Sequence, residues 1–205
     1  MIDELLSVYR LKDEVRAGWL LRAVSEPESV ADHSWGTALL CLMHAPRAEV
    51  DADRAVRIAL VHDIPEADVG DIPRRVDEGE QPISRAEKAR REEQAMDRRA
   101  DGPLSAAVTL WREYEAGETP EAVFVRDMNL IDMCLQALFY EGTGRRQDAA
   151  FGGDTAYAGA AGANRRPALD EFFETARPRL ATPIGRELFA EIEARYRRLR
   201  AGQEA

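Results

Sequence analysis

The helical spacing of apolar residues is the feature that most constrains how this chain folds. Between Val30 and Met43 the apolar positions recur every three or four residues, which places them on one stripe of a helix. The same spacing runs from Leu104 to Tyr114 and again from Leu188 to Leu199. No segment shows the alternation typical of a half-buried strand. The sequence therefore predicts an all-α bundle, with residues 1–205 forming a single domain.

Several residues predict where individual helices begin and end. Asp51 or Asp53 is a good N-cap for a second helix, and Ile64-Pro65 disfavours its continuation. Ser84 and Glu87 have the capping-box spacing that opens a charged helix to about residue 100. Thr119-Pro120 opens a long helix through Tyr140. His62 and Asp63 are thus expected at the C-terminal end of a helix.

The stretch 142–167 differs in composition from the rest of the chain. It is rich in Gly, Ala and Arg and poor in large apolar residues, so it cannot contribute much to a core. We expect a long loop or flexible flap there.

Charge and hydropathy exclude some classes of function. The formal net charge is −10, which disfavours charge-driven binding of DNA or RNA but allows a small anionic ligand in a local basic pocket. The first residues include acids, and no run of 18 apolar residues occurs. We therefore expect a cytoplasmic protein that binds neither nucleic-acid polymers nor membranes.

Two of the three histidines stand where a metal site could form. His33 falls in the first turn of one predicted helix, and His62-Asp63 ends the next. Imidazole nitrogen and carboxylate oxygen suit divalent transition metals, and a site with few protein ligands leaves room for water and a phosphate oxygen. His44 lies about 16 Å along the helix from His33, so it cannot share that metal. A site for one metal ion is therefore favoured over a binuclear one.

Two acids follow this dipeptide closely. Glu66 and Asp71 lie on the segment leaving the candidate metal site, where general acid and base groups are needed. Gly70 allows a tight turn of the backbone immediately before Asp71.

These residues belong to a longer pattern that resembles the HD-domain 5′-deoxynucleotidases. The resemblance covers roughly residues 10–195, apart from 142–167. Its motifs are Arg16-Ala17-Gly18-Trp19, 27–33 ending in Asp32-His33, Ala59-Leu60-Val61-His62-Asp63 and Glu66 through Gly70-Asp71-Ile72, followed by 90–96, 111–115, 124–126, 135–137 and 140–141.

The resemblance implies a helical HD-domain fold, usually homodimeric, that removes the 5′-phosphate of deoxynucleoside monophosphates with one divalent metal ion. The metal could be Mn, Co, Mg, Fe or Zn. By position, the resemblance assigns residues to three roles. The metal ligands are His33, His62 and Asp63. The acids beside the attacking water and leaving group are Glu66 and Asp71, and the nucleotide contacts are Arg16 and Trp19.

One position departs from the family pattern. The family's fourth metal ligand is an aspartate, and Asn129 occupies its place. An amide oxygen can coordinate a metal but carries no charge, so metal affinity should fall. Asp132, three residues further along the same helix, is a possible substitute, whereas Asp127 is expected to point elsewhere.

Three explanations of Asn129 remain open: an engineered replacement that traps substrate, a natural variant with altered chemistry, or loss of catalysis. The leading hypothesis is a phosphohydrolase acting on a small nucleotide. The alternative is a nucleotide-binding or sensor protein with an impaired metal centre.

Overall fold

A computed structural model describes residues 1–74, 81–145 and 169–203. Its helices, in chain order, are α1 (Ile2–Tyr9), a 3₁₀ turn (Arg10–Lys12), α2 (Ala17–Leu20), α3 (Val30–Ala48), α4 (Ala52–Val61), α5 (Glu66–Val69), α6 (Arg85–Asp97), α7 (Ser105–Ala116), α8 (Pro120–Thr143), α9 (Asp170–Ala176), a second 3₁₀ turn (Arg177–Arg179) and α10 (Pro183–Gln203).

Polar side chains define several of the helix starts, including those of α3, α4, α6 and α8. Asp51 accepts a hydrogen bond from the backbone N–H of Arg54, and Thr119 accepts one from Ala122. Buried Asp127 of α8 accepts hydrogen bonds from the N–H and hydroxyl of Thr182, immediately before α10. A long-range carboxylate therefore fixes where the last helix begins.

The main core lies between the long helices. α3 packs along α4 and α8, and α8 also packs against α10. Phe124, Met128 and Ile131 on the inner face of α8 are fully buried in this core. A smaller cluster around Trp111 and Met96 joins α6 and α7 to the start of α3. The site described below lies where α3, α4 and α8 meet.

The all-α prediction is confirmed, since the described ranges contain no β-strand, apart from isolated bridges such as the one between Val15 and Ser29. α3 continues beyond Met43 through Pro46 to Ala48. The short helices α1, α2 and α5 were not predicted, because four to eight residues carry too little periodicity to be recognised.

The predicted loop at 142–167 is wrong at its start. α8 continues through Thr143 and ends at Gly144, whose φ of 65° is left-handed, rather than at Tyr140. Residues 146–167 of that prediction lie outside the described residues. Within the described residues, no helix is both long and apolar enough to cross a membrane.

Candidate active site

His62 and Asp63 lie at the C-terminal end of α4, as the sequence predicts. His62 is the C-cap residue, and its Nδ1 lies 2.7 Å from the carbonyl oxygen of Ala59 in the preceding turn. This contact fixes the ring with Nδ1 toward the helix and Nε2 away from it. The local structure therefore presents Nε2 as the free ligand atom.

His33 lies in the first turn of α3. Ser29 and Asp32 form a reciprocal capping box, which sets the start of the helix. The His33 ring is fully buried, and its Nδ1 lies 2.6 Å from Oδ2 of Asp132 on α8. A carboxylate on Nδ1 orients an imidazole and increases the basicity of its other nitrogen.

The ligand atoms of His33, His62 and Asp63 converge, although two different helices carry the histidines. One atom from each lies within 4.8 Å of the other two. Nε2 of His33, Nε2 of His62 and Oδ2 of Asp63 are all buried without a hydrogen-bond partner. Nε2 of His62 is 3.2 Å from Oδ2 of Asp63, but the two are not aligned as a hydrogen bond. Unsatisfied buried polar atoms are costly, so this arrangement fits a bound cation.

Electrostatics favour an ionised carboxylate in this group. Burial opposes the charge of Asp63, but His62, His33 and Arg16 outweigh it and hold the pKa of Asp63 below its usual range. Burial and the charge of Arg16 lower the pKa of His33, whereas at His62 the charge of Asp63 outweighs burial and raises the pKa, so a bound cation would have to displace the proton of His62. A neutral imidazole and an ionised carboxylate are the forms that bind metals.

Asp132 lies on the other edge of His33. Glu28, His33 and Asp132 could form a second group of ligand atoms, but Nδ1 of His33 is already satisfied by Asp132. Glu28 in turn accepts a hydrogen bond from Nε1 of Trp19 at 2.9 Å. We therefore favour the first group as the metal site, with Asp132 orienting its histidine rather than replacing a ligand.

Gly36 provides the space for this contact. A Cβ atom at position 36 would lie 2.0 Å from Oδ1 of Asp132. Only glycine at this position allows the α8 carboxylate to lie so close to α3.

Arg16 and Asp71 lie beside the three ligands. NH1 of Arg16 is 3.5 Å from Oδ2 of Asp63. Burial opposes the charge of Arg16, but four carboxylates, including Asp71 and Asp63, raise its pKa. Oδ2 of Asp71 accepts a hydrogen bond of 2.6 Å from the backbone N–H of Ala17, so the acid is tied to the same segment as Arg16.

Glu66 lies at the start of α5 and is buried. Its Oε1 is 3.2 Å from Nζ of Lys88, whereas its Oε2 is buried without a hydrogen-bond partner. Burial and the negative charges of Asp63 and Asp71 raise the pKa of Glu66 well above its usual range. Lys88 was not identified from the sequence, because α6 contributes it from a separate helix and no local motif surrounds it.

Trp19 lines the pocket but is almost completely buried. Its ring is only 1% exposed and is stacked on Phe172 of α9, with ring centroids 4.0 Å apart. It meets Tyr140 edge to face. Trp19 therefore supports the wall of the pocket, and Phe172 is the more accessible aromatic residue there. Contact of Trp19 with a nucleotide stays a prediction.

Asn129 lies on α8 and lines the same pocket as His62 and Asp63. Its Nδ2 donates a hydrogen bond of 2.9 Å to the hydroxyl of Tyr114. The Tyr114 ring contacts the His62 ring edge to face, with centroids 5.2 Å apart. Asn129 is thus near the three ligands, and its role as a ligand stays a prediction.

One pocket of about 620 Å³, which is large enough for a nucleotide, is lined by Arg16, His62, Asp63, Glu66 and Asp71. His33 is fully buried beside His62 and Asp63 and does not line it. The site has three kinds of wall: the candidate metal ligands with their acids, the aromatic residues Trp19 and Phe172, and a set of arginines from four segments. The arginines are Arg74, Arg85, Arg126 and Arg179.

Comparison with known proteins agrees with this geometry. The HD domain family profile matches residues 8–160. The protein named 5′-deoxynucleotidase HDDC2 from Bos taurus is 38% identical over 156 residues, covering 72% of this chain and 73% of that protein. The protein of that name from Xenopus laevis is 39% identical over 138 residues, or 65% of this chain and 66% of that protein.

Solved structures give the same result at the level of the fold. The crystal structure of a Pyrococcus horikoshii OT3 protein has a TM-score of 0.69 and 31% identity, covering 96% of this chain and 99% of that one. A conserved hypothetical protein from Pyrococcus furiosus has a TM-score of 0.67 and 28% identity, covering 95% and 99%. The resemblance noted in the sequence is confirmed, and the chain belongs to the HD-domain family.

Proposed function

We propose that this protein is a metal-dependent phosphohydrolase that removes the 5′-phosphate from a deoxynucleoside monophosphate. The observation that carries the proposal is the convergence of three unsatisfied ligand atoms, from His33, His62 and Asp63, at the wall of a nucleotide-sized pocket that His62 and Asp63 line. Relatives named 5′-deoxynucleotidase support the substrate class.

His33, His62 and Asp63 would hold one divalent ion, with Asn129 as a further, neutral ligand. The donor set of two imidazoles and one carboxylate suits Mn, Co, Fe or Zn better than Mg, which prefers oxygen ligands. When bound, such an ion supplies positive charge to the phosphoryl group and to the attacking water.

Arg16 and Lys88 would bind the phosphate from two sides. Both side chains line the pocket, and each lies beside a carboxylate of the site, Asp63 and Glu66 respectively. A guanidinium can donate two hydrogen bonds to phosphate, whereas an ammonium acts as a compact charge. Together they would neutralise and orient the group that is transferred.

Glu66 would act as the general acid. Its raised pKa favours the protonated form, and its Oε2 has no partner within the protein. A proton on Oε2 can pass to the 5′-oxygen of the departing nucleoside as the P–O bond breaks. Asp71, whose carboxylate is fixed by the Ala17 N–H, would accept a proton from the attacking water.

The test is phosphate release from a panel of nucleoside and deoxynucleoside 5′-monophosphates with Mn, Co or Mg. We expect metal-dependent release that is greatest for deoxynucleotides and is lost in His33→Ala and Asp63→Ala. Tight nucleotide binding without release at excess metal would favour the nucleotide sensor instead. If the protein neither binds nucleotides nor releases phosphate from them, both functions are overturned.

We further propose that the protein is a homodimer. α3 carries Trp35, Leu39, Leu42 and Met43 on its exposed side, and Trp35 is 66% exposed. Leu60, Leu135 and Phe139 on α4 and α8 are exposed as well. These helices pack against each other, and a second copy of the chain would bury such apolar surface. The cytoplasmic location expected from the sequence stays a prediction.

A further inference from the structure

Four arginines from separate segments form one wall of the pocket, here called the arginine wall. Arg74 follows α5, Arg85 begins α6, Arg126 belongs to α8 and Arg179 ends the second 3₁₀ turn. Neither the metal site nor the proposed phosphate contacts at Arg16 and Lys88 use them. The fold has therefore gathered positive charge in a second part of the same pocket.

These charges lie near one another in the pocket. Desolvation, followed by the charges of Arg85 and Arg126, lowers the pKa of Arg74. Desolvation and the other three guanidinium groups lower the pKa of Arg179 to about 10. Within residues 1–74, 81–145 and 169–203, no carboxylate forms an ion pair with Arg74, Arg126 or Arg179. Such mutual repulsion is relieved by a bound anion.

Arg126 is held in place without losing its charge. Its Nε and NH2 donate hydrogen bonds of 3.0 and 2.9 Å to the carbonyl oxygens of Tyr114 and Glu115. Both acceptors are neutral backbone oxygens, so these hydrogen bonds orient the guanidinium. The Glu115 carboxylate lines the same pocket and is near enough for Arg126 to lower its pKa against burial, although the two form no ion pair. An oriented guanidinium loses less freedom when it binds a ligand.

The wall adjoins the metal site through Tyr114. The Arg126 guanidinium lies 5.4 Å from the centre of the Tyr114 ring. The His62 ring contacts the same tyrosine, with 5.2 Å between the ring centroids. Asn129, one helical turn after Arg126, bonds to the Tyr114 hydroxyl. One ligand can therefore contact the metal site and the arginine wall together.

We propose that the arginine wall is a second anion subsite, which takes an additional phosphate group on a nucleotide whose first phosphate lies at Arg16 and Lys88. Planar guanidinium groups match phosphate oxygens, and several of them match a dianion in charge. The additional phosphate can come from a nucleoside 3′,5′-bisphosphate or a 5′-diphosphate. The inference rests on the proposed function for the position of the first phosphate.

Isothermal titration of the Mn-loaded Glu66→Gln protein, in which turnover is slowed, tests the proposal. The probes are deoxyadenosine 5′-monophosphate, 3′,5′-bisphosphate and 5′-diphosphate. We expect one of the two doubly phosphorylated ligands to bind roughly 10- to 100-fold more tightly than the monophosphate. Arg74→Gln and Arg179→Gln should each reduce that preference about tenfold.

Arg195→Gln is the matched control, since it removes an equal charge from the outer face of α10, where Arg195 pairs only with the exposed Glu191 among the described contacts. It should leave the preference unchanged. Equal affinity for all three probes, or a preference unaffected by Arg74→Gln and Arg179→Gln, would overturn the subsite. Phosphate release from monophosphates by the parent protein is measured separately, so failure of the subsite and failure of the proposed function are distinguishable.

Discussion

The orientation of His33 depends on the space that Gly36 leaves for Asp132. Alanine at position 36 would place its Cβ 2.0 Å from Oδ1 of Asp132 and displace the carboxylate from the ring. Loss of a carboxylate behind a metal-binding histidine typically costs 10- to 100-fold in metal affinity. We expect Gly36→Ala to weaken Mn binding by roughly this factor, measured by titration calorimetry.

Alanine stabilises a helix relative to glycine by about 1 kcal/mol. A loss of Mn affinity in Gly36→Ala therefore cannot be attributed to a weaker helix. Gly202→Ala, near the end of α10 with no described atom within 4 Å of the added Cβ, is the control and should leave Mn affinity unchanged. Undiminished Mn affinity in Gly36→Ala would mean that Asp132 does not position His33.

Glu66 offers a second test at the scale of one residue. Glutamine keeps the size of the side chain but cannot pass a proton to the leaving oxygen. Glu66→Gln should lower kcat by a factor on the order of 10² to 10⁴ with little change in metal affinity. Glu93→Gln, an exposed acid of α6, should retain the parent kcat. A normal kcat in Glu66→Gln would leave Asp71 as the better candidate for proton transfer.

Glu28 provides a test of stability against pH. Burial, and then the charges of Asp132 and Asp32, raise the pKa of Glu28 from 4.5 to about 7, against the opposing effect of Arg16. The folded protein thus retains this proton between pH 4.5 and about 7, where the unfolded chain releases it, and stability should fall as pH rises through that window. Glu28→Gln can still accept the Trp19 hydrogen bond. We expect the free energy of unfolding, measured with urea at several pH values, to fall less between pH 4.5 and about 7 in Glu28→Gln than in the parent. An identical pH dependence in both proteins would show that Glu28 is not the titrating group.

At the scale of the element, α8 brings together groups from three parts of the site. Arg126, Asn129 and Asp132 follow at intervals of three residues, and Met133 lines the pocket beside them. The helix thereby joins the arginine wall, the Tyr114 hydrogen bond and the carboxylate behind His33. Substitutions on this face of α8 therefore test several parts of the site from one element.

Asn129→Asp is the substitution of choice. Aspartate would accept a hydrogen bond from the Tyr114 hydroxyl, so the contact that the asparagine amide now makes has a replacement. Because a charged oxygen replaces a neutral one, Mn affinity and phosphatase activity should both rise, each by roughly tenfold or more. Asn129→Ala is the companion variant. If Asn129→Asp and Asn129→Ala both match the parent in calorimetry and turnover, position 129 lies outside the metal shell.

The helices show which parts of the site could be predicted from sequence. Local signals predicted the starts at Ser84 and Thr119 and the His62-Asp63 dipeptide at the end of α4, and they narrowed the start of α4 to Asp51 or Asp53, of which Asp51 is the N-cap. The structure adds contacts between distant segments, such as Asp132 with His33 and Lys88 with Glu66. No local spacing encodes these pairs, because their geometry is set by the packing of α8 and α6 against the elements that carry the ligands. Trp19 was an ambiguous case, since a tryptophan in a pocket motif can stack on a ligand or support the wall.

At the scale of the whole molecule, the apolar surface of α3 lies close to the catalytic face of the same helix. His33 and Ser34 are buried while Trp35, between them and Gly36, is 66% exposed. α3 therefore presents its metal ligand to the interior and its apolar stripe to the outside within one turn. Burial of that stripe by a second chain would restrain the helix that carries His33.

Leu42→Glu tests whether this surface is the dimer contact. Leu42 is 58% exposed on α3, so a charged replacement can remain in water in a monomer but would be desolvated between two chains. We expect light scattering after gel filtration to give twice the chain mass of 22.9 kDa for the parent and the single mass for Leu42→Glu. Leu6→Glu is the matched control, because Leu6 is 59% exposed on α1, away from the stripe, and its replacement should leave the dimer intact.

A dimer that persists in Leu42→Glu would exclude the α3 stripe as the contact, and dissociation by both variants would point to a general effect of added charge. A monomeric parent would overturn the dimer itself, leaving the catalytic proposal to stand on the pocket of a single chain.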